Sequence, residues 1–371
     1  MKVLFVPGNS PYPVYSHTPL ATSLRNAGHQ VFMGGIDWVL PKIAAMGLPP
    51  VKIAPLTVEE VASFVSSMPS DPEESARAVG GVYARIALDS LDTLTELAEN
   101  WRPDIVVGGG MFYCAPLFAH RIGVPSVRLE WDRLDTRMYD PGSVEVLRPA
   151  LEKEGLERVP DPDLWLDVCP PSLSDPSAPR TQPMQWMAAN PQRPLEPWMY
   201  VKPDRPRIYV TAGTRLQETR VLREMADHVT GLGAEIVIGA PEDLVEPLSK
   251  EVPEARVGWF PLDVLAPTCD LIVHHGGGGT DMTALKSGVP QLVVDPEYPT
   301  RAVRVLDEYG AAITLIGEEA SPEAVGRGVR EILLDTSFRQ RSRELASEMS
   351  QMPKPAEIVP LMEELAARGV G

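Results

Sequence analysis

Two histidines, four glycines and a threonine stand in a row at His274-His275-Gly276-Gly277-Gly278-Gly279-Thr280. Leu271-Ile272-Val273 precedes them as an apolar strand, and a helical stretch to Lys286 follows. Glycines let a backbone approach a ligand closely. A helix starting near Gly279 presents free N–H groups and a positive dipole end, which together suit a diphosphate. His275 and the Thr280 hydroxyl can each donate a hydrogen bond to a phosphate oxygen. Taken alone, the run reads equally well as a glycine turn with two incidental histidines.

The elements around this loop follow a repeating grammar. Lys2 to Val6 is an apolar run ending in the loop Pro7-Gly8-Asn9-Ser10. A helical stretch follows from about Thr18 to Asn26, then Gly28, then a second run at Gln30 to Met33. Ile105-Val106-Val107, a helix from about Tyr113 to Arg121, and a strand at Ser126 to Arg128 repeat the pattern. From Asp135 to about Lys202 prolines crowd the chain, which predicts irregular structure running into a linker near Pro194 to Pro206. The grammar restarts at Arg207 to Val210, Glu235 to Gly239, Leu271 to Val273 and Gln291 to Val294. The fold class is therefore α/β, two Rossmann-like domains facing across a cleft, with ligands beyond the carboxyl ends of the strands.

Composition narrows the function. Thirty-four basic against 51 acidic residues give a net charge of −17 with no basic tract. Nothing offers nucleic acid or an anionic membrane a counter-charged face. Cys114, Cys169 and Cys269 stand apart, in no disulfide or zinc spacing. Asp161-Pro162-Asp163 has the form of a metal-binding DxD but reads better as a surface turn, so no metal is required. Ile105 to Ala119 is the longest charge-free apolar stretch, broken by Gly108, Gly109, Gly110 and Pro116. It is shorter than the ~20 residues a membrane span needs. The N-terminus is too short and proline-broken for a signal peptide, and a cytoplasmic protein is expected.

The string from Trp259-Phe260-Pro261 through the histidine-glycine loop to Ala284-Leu285 and Gly288-Val289-Pro290-Gln291 is long and fixed in spacing. It resembles the nucleotide-sugar signature of family 1 glycosyltransferases with the GT-B fold, in their natural-product branch. The resemblance implies that Trp259 and Phe260 sit at the base, while His275, Gly278, Gly279 and Thr280 hold the diphosphate. Thr211, Gly213 and Thr214 match the turn that faces the diphosphate from the other side. Plant-type members carry a ribose-binding glutamate where Thr283 stands here. The Asp-Gln pair that reads sugar hydroxyls is replaced by Asp295-Pro296-Glu297-Tyr298-Pro299-Thr300-Arg301. Both departures point to a dTDP-deoxysugar co-substrate.

Trp101 to Gly109, Val168 to Leu173, Leu195 to Tyr200 and Pro261 to Asp270 look like the glycosyltransferases of angucycline biosynthesis, the landomycin and urdamycin D-olivosyltransferases in particular. That likeness implies D-olivose as the sugar and an aromatic polyketide as the acceptor. The segment from about Lys52 to Pro69 is compact, which favours an O-glycoside.

Inverting transfer needs a base for the acceptor proton and a means of stabilising the leaving diphosphate. Family members place a histidine three residues before the first-loop proline. Here Ser16 holds that position before Pro19, and His17 follows one step later. One residue turns a helical side chain by about 100°. Asp132, in Glu130-Trp131-Asp132 just past a strand, matches the proposed base of the angucycline enzymes. A simple pairing of Asp132 with Arg133 or a nearby arginine is the alternative. Ser10, Ser16, His17, Phe64, Phe112 and Tyr113 are acceptor-side candidates, with Tyr12 and Trp186 further aromatics; core packing is the plainer reading of each aromatic. The expected domains are 1–195 for the acceptor, joined by a C-terminal helix at 356–371, and 205–355 for the dTDP-sugar, with a homodimer as a possible assembly. A C-glycosyltransferase, a silent partner subunit and a sugar-nucleotide epimerase are the rivals.

Overall fold

Short, largely apolar runs build two parallel sheets, as expected where helices cover the sheet faces. The computed structural model describes residues 1–57, 60, 69, 71–175, 179, 181–213, 233–294 and 301–369. The first sheet takes β1 (Lys2–Val6), β2 (Gln30–Gly35), β3 (Pro50–Lys52), β4 (Ile105–Gly109), β5 (Ser126–Leu129), β6 (Leu164–Asp167) and β7 (Gln182–Pro183). Their order is β3-β2-β1-β4-β5-β6-β7, every pair parallel. The second takes β8 (Arg207–Thr211), β9 (Glu235–Gly239), β10 (Arg256–Gly258), β11 (Leu271–His274), β12 (Gln291–Val294) and β13 (Ala312–Leu315). Its order is β10-β9-β8-β11-β12-β13, again all parallel. Each sheet reverses its strand order once, between β1 and β4 and between β8 and β11. Ligands bind at such switch points.

The helices of the first unit are α1 (Pro11–Asn26), α2 (Leu40–Ala45), α3 (Pro72–Asn100), α4 (Cys114–Ile122) and α5 (Asp140–Lys153). α1 starts at Pro11, earlier than the predicted Thr18, since a proline in a first turn has no N–H to lose. The sequence reading named no element at α3, although Asp71 caps it by accepting from the Glu73 and Glu74 N–H groups. It also predicted irregular structure from Asp135 onward, where the structure has α5, β6 and β7. Pro141 sits in the first turn of α5, and Pro183 lies on the edge strand β7, both places where a missing N–H is harmless. α3 and α5 cross closely through glycine. A Cβ on Gly80 would lie 1.9 Å from the Tyr139 carbonyl oxygen, and one on Gly142 would lie 1.9 Å from that of Arg77.

The second unit carries α6 (Glu242–Glu251), α7 (Gly278–Lys286), α8 (Arg301–Tyr309), α9 (Pro322–Leu334) and α10 (Thr336–Gln351). Its core joins Ile208, Val210, Ile236, Ile238, Val273, Leu292 and Val329. The expected linker is not free chain. Pro197–Tyr200 is a helical turn that buries Met199 with Tyr209 and Val237. The last helix, α11 (Pro355–Arg368), returns to the first unit and packs on α1. By packing, one unit comprises Met1–Val168, Pro176–Gln185 and Met352–Gly371, and the other Cys169–Asp175 and Trp186–Gln351.

Candidate functional site

The glycine loop of the second unit is built around a buried histidine. His274 ends β11 fully enclosed, and its Nδ1 accepts from the Gly276 N–H at 3.1 Å. The proton therefore sits on Nε2, which donates to Gln291 Oε1 at 2.7 Å. The Gln291 amide in turn donates to the Asp281 carbonyl at 3.3 Å, in the first turn of α7. One side chain thus ties strand, loop and helix start together, with Gly276 at φ 84° making the turn. His274 is not among the residues that the motif assigns to the diphosphate. Its partner is reached only through the β11–β12 register, and the one visible signal was a polar residue closing an apolar strand.

His275 is buried between two turns. A Cβ on Gly213 would lie 2.5 Å from its Cε1, and one on Gly277 would lie 3.0 Å from Cε1 and from Nε2. The first of these turns is shaped by Thr211. Its hydroxyl accepts from the Gly213 N–H at 3.1 Å and donates to the Gly239 carbonyl at 3.0 Å. With its proton committed there, Thr211 acts on the turn, which Gly213 completes at φ 67°. α7 begins after Gly277 with no side-chain cap, so the first N–H groups at Gly278 and Gly279 face outward from the helix end. Thr280 is half-buried beside them. Thr283 is buried, and its hydroxyl donates to the Gly279 carbonyl at 2.6 Å. Trp259 and Phe260 are both half-buried, but Phe260 meets Trp198 edge-to-face at 5.1 Å and belongs to the packing around Met199.

In the first unit, Asp132 is half-buried beyond β5, and its Oδ1 accepts from the Leu134 N–H at 2.8 Å. The strand end behind it is anchored by Glu130. That carboxylate accepts from Arg128 Nε at 2.7 Å, Trp165 Nε1 at 2.9 Å and the Thr136 hydroxyl at 3.1 Å. Burial raises the Glu130 pKa, and the Arg128 charge opposes the rise. Trp131 packs with Met111, Val79, Ala76 and Tyr139, bordered by half-buried Tyr12, Tyr83 and Leu134. The Tyr12 hydroxyl donates to the Trp131 carbonyl at 2.6 Å. An apolar cluster, half of it aromatic, thus packs around the residue that precedes the aspartate.

The remaining candidates divide. Phe112 is buried edge-on to Tyr83 at 6.3 Å. Tyr113 is buried with its hydroxyl donating to Asp140 at 3.0 Å, and burial raises both pKa values. Trp186 is likewise buried. Ser16 and His17 are both turned into α1. The Ser16 hydroxyl donates to the Pro13 carbonyl at 3.0 Å, and His17 Nδ1 to the same oxygen at 2.9 Å. His17 is fully enclosed against Phe5, and burial pulls its pKa down to about 4. Ser10 is half-buried ahead of α1 and its side chain caps nothing. Phe64, Thr214, most of the segment from Lys52 to Pro69, and residues 295–300 lie outside the described residues. Asp161 pairs with Arg158, and Asp163 accepts from the Ser126 N–H at 2.8 Å, so each carboxylate of the DxD has a protein partner. Among the described residues no group of three or more His, Cys, Asp or Glu is placed to hold a metal ion. No helix among them is long and apolar enough to cross a membrane.

Two family models match this chain. "Erythromycin biosynthesis protein CIII-like, N-terminal domain" covers residues 22–213, and the corresponding C-terminal domain covers residues 223–365. The tylactone mycaminosyltransferase of Streptomyces fradiae is 32% identical over 95% of this chain and 90% of its own length. The L-demethylnoviosyl transferase of Streptomyces niveus is 32% identical over 95% of this chain and 94% of its own. The Streptomyces sp. SF2575 glycosyltransferase SsfS6, solved with thymidine diphosphate, superposes with a TM-score of 0.85 at 30% identity, covering 98% of this chain and 99% of that one.

Proposed function

The chain belongs to the erythromycin biosynthesis protein CIII-like family, GT-B glycosyltransferases of antibiotic biosynthesis that use TDP-sugar donors without a metal, and from that premise we propose that it moves D-olivose from dTDP to a phenolic hydroxyl of an angucycline-type aromatic polyketide. The observation carrying the donor half is the glycine loop held by His274 and closed against Gly213 by His275. Thymidine diphosphate in SsfS6 supports the same half. Thr283 supports a deoxyribose, because a buried hydroxyl bonded to its own helix presents no carboxylate to a ribose 2′-hydroxyl. The aromatic side chains packed around Trp131, next in sequence to Asp132, support a flat aromatic acceptor. The resemblance of four segments to the angucycline enzymes is the ground for naming olivose, since the two relatives above carry other sugars in their names.

In this reading the first unit takes the acceptor and the second the dTDP-sugar. The acceptor oxygen attacks the anomeric carbon as its proton passes to the Asp132 carboxylate. The bond from that carbon to the diphosphate oxygen breaks, and the configuration inverts. A phenol's pKa near 10 makes a carboxylate a weak base for it in water. Transfer therefore proceeds as the C–O bond forms rather than ahead of it. Charge developing on the leaving diphosphate falls on the N–H groups of Gly278 and Gly279, with His275 and Thr280 beside them. Trp259 covers the base.

One reaction tests the proposal: purified protein, dTDP-D-olivose and a phenolic angucyclinone, with the products fragmented by mass spectrometry. Loss of the whole sugar as a neutral unit is the expected result. Cross-ring fragments with the sugar retained would make the enzyme a C-glycosyltransferase. No product, with TDP still bound, would remove the acceptor assignment.

A further inference from the structure

The reaction outlined above makes no use of Asn9, a buried side chain of the first unit. Asn9 is 7% exposed, and neither its Nδ2 nor its Oδ1 has a hydrogen-bond partner among the described residues. The Trp131 indole Nε1, on a residue 8% exposed, is also unpartnered there. Such groups destabilise a fold, and each needs a reason.

Their location supplies one. Asn9 follows β1, and Trp131 follows β5, immediately before Asp132. A Cβ on Gly109, at the end of β4, would lie 2.2 Å from Trp131 Nε1 and 2.1 Å from the Pro7 carbonyl oxygen. A Cβ on Gly8 would lie 3.5 Å from Trp131 Cζ2. The loop carrying Asn9 is therefore packed on Trp131 at the carboxyl ends of β1 and β4, where the strand order reverses. The absent side chain of Gly109 is what allows the approach. A primary amide presents a donor and an acceptor side by side. That pair can replace the internal hydrogen bond of a peri-hydroxyquinone, the amide N–H donating to the carbonyl while the hydroxyl donates to Oδ1, whereas an isolated hydroxyl offers only one of the two contacts.

We propose that Asn9 contacts the acceptor and sets its specificity, gripping a hydroxyl–carbonyl pair, with the Trp131 indole N–H as a second donor. The attacked oxygen is thereby held toward Asp132. Asn9 takes no proton in the reaction. The proposal rests on the acceptor reading above and deepens it.

The test is calorimetric binding of two quinones to the full chain saturated with TDP. 1,3-Dihydroxyanthraquinone carries a hydroxyl peri to a carbonyl, and 2-hydroxyanthraquinone lacks it. Wild type is expected to prefer the first by about tenfold, the worth of one to two buried hydrogen bonds. In Asn9→Leu, close in size, that preference shrinks to about twofold or less while TDP affinity holds. Trp131→Phe keeps the ring face and weakens both quinones about threefold, since one donor is lost in each case. The urea midpoint of ligand-free Asn9→Leu does not fall, because an apolar group replaces an unpaired amide. A merely structural asparagine would lower that midpoint and leave the preference alone, and either result overturns the proposal. Loss of TDP affinity in Asn9→Leu would assign the amide to the donor and overturn it as well. Wild type that binds TDP but neither quinone would defeat the acceptor reading itself.

Discussion

His17 is kept neutral by the packing around α1, and that has a measurable cost in acid. Burial lowers its pKa from 6.5 to about 4. Above the upper value neither folded nor unfolded chain carries the proton, so the histidine is neutral in both. As pH falls through that interval the unfolded chain takes up a proton that the folded one refuses, and stability is lost. The full difference is about 3 kcal/mol. His17→Leu should therefore lose less stability than wild type between pH 6.5 and 4, by about that amount, in paired urea titrations. Parallel losses in the two proteins would mean the imidazole is hydrated. His17 is also fully enclosed, and the proposed reaction gives the acceptor proton to Asp132 instead. Asp132→Asn should lower kcat about a hundredfold or more with TDP affinity unchanged. Unaltered turnover would take Asp132 out of the mechanism. The place of Asp132 just beyond β5 was legible, because the strand read at Ser126 to Arg128 ends shortly before it. The packing of Phe260 was not, because Trp198 reaches it from a separate stretch of chain.

At the scale of elements, the strands were the most legible part. Lys2–Val6, Glu235–Gly239 and Gln291–Val294 fall where their apolar runs predict. The helices were read less well where glycine and proline obscured them. Gly80 and Gly142 look like helix breakers in sequence, yet each is where the α3–α5 crossing excludes a side chain. The glycine loop was recognised by its string of residues, but its construction needed the sheet register to be seen. Gly213 gives the sharpest test of that construction. Alanine there would be strained at φ 67° and would press on His275 at 2.5 Å. Both effects push the two turns apart. Gly213→Ala is expected to weaken TDP at least about tenfold with the fold intact, as strain of 1–3 kcal/mol would allow. Unchanged TDP affinity would show that the Gly213 turn has no part in donor binding.

At the scale of the whole molecule, the chain does not finish one unit before starting the next. The first unit is closed only by the last segment, Met352–Gly371, after the second has been built. Sequence pattern alone gave no reason for α11 to pack on α1; the family likeness supplied it. The physical ties are visible in the structure. α11 buries Ile358, Val359 and Met362, Glu363 pairs with His29 at 2.8 Å, and the Gln185 N–H donates to the Pro353 carbonyl at 2.7 Å. Exposing three such side chains costs about 5 kcal/mol, even after allowing for a compact unfolded chain. That is comparable with the whole stability of many domains. A chain ended at Gln351 should therefore unfold its first unit at much lower urea, read by tryptophan fluorescence. β8, β11, α7 and the glycine loop all belong to the second unit. TDP should accordingly still bind the shortened chain, measured by calorimetry below that first transition, while transfer to any acceptor is lost. Met362→Ala in the full chain makes the same argument without truncation. A fully buried methionine reduced to alanine should cost about 2–5 kcal/mol, again with TDP affinity preserved. Equal loss of TDP binding in both variants would mean that the donor half depends on α11, and that the two units do not fail separately.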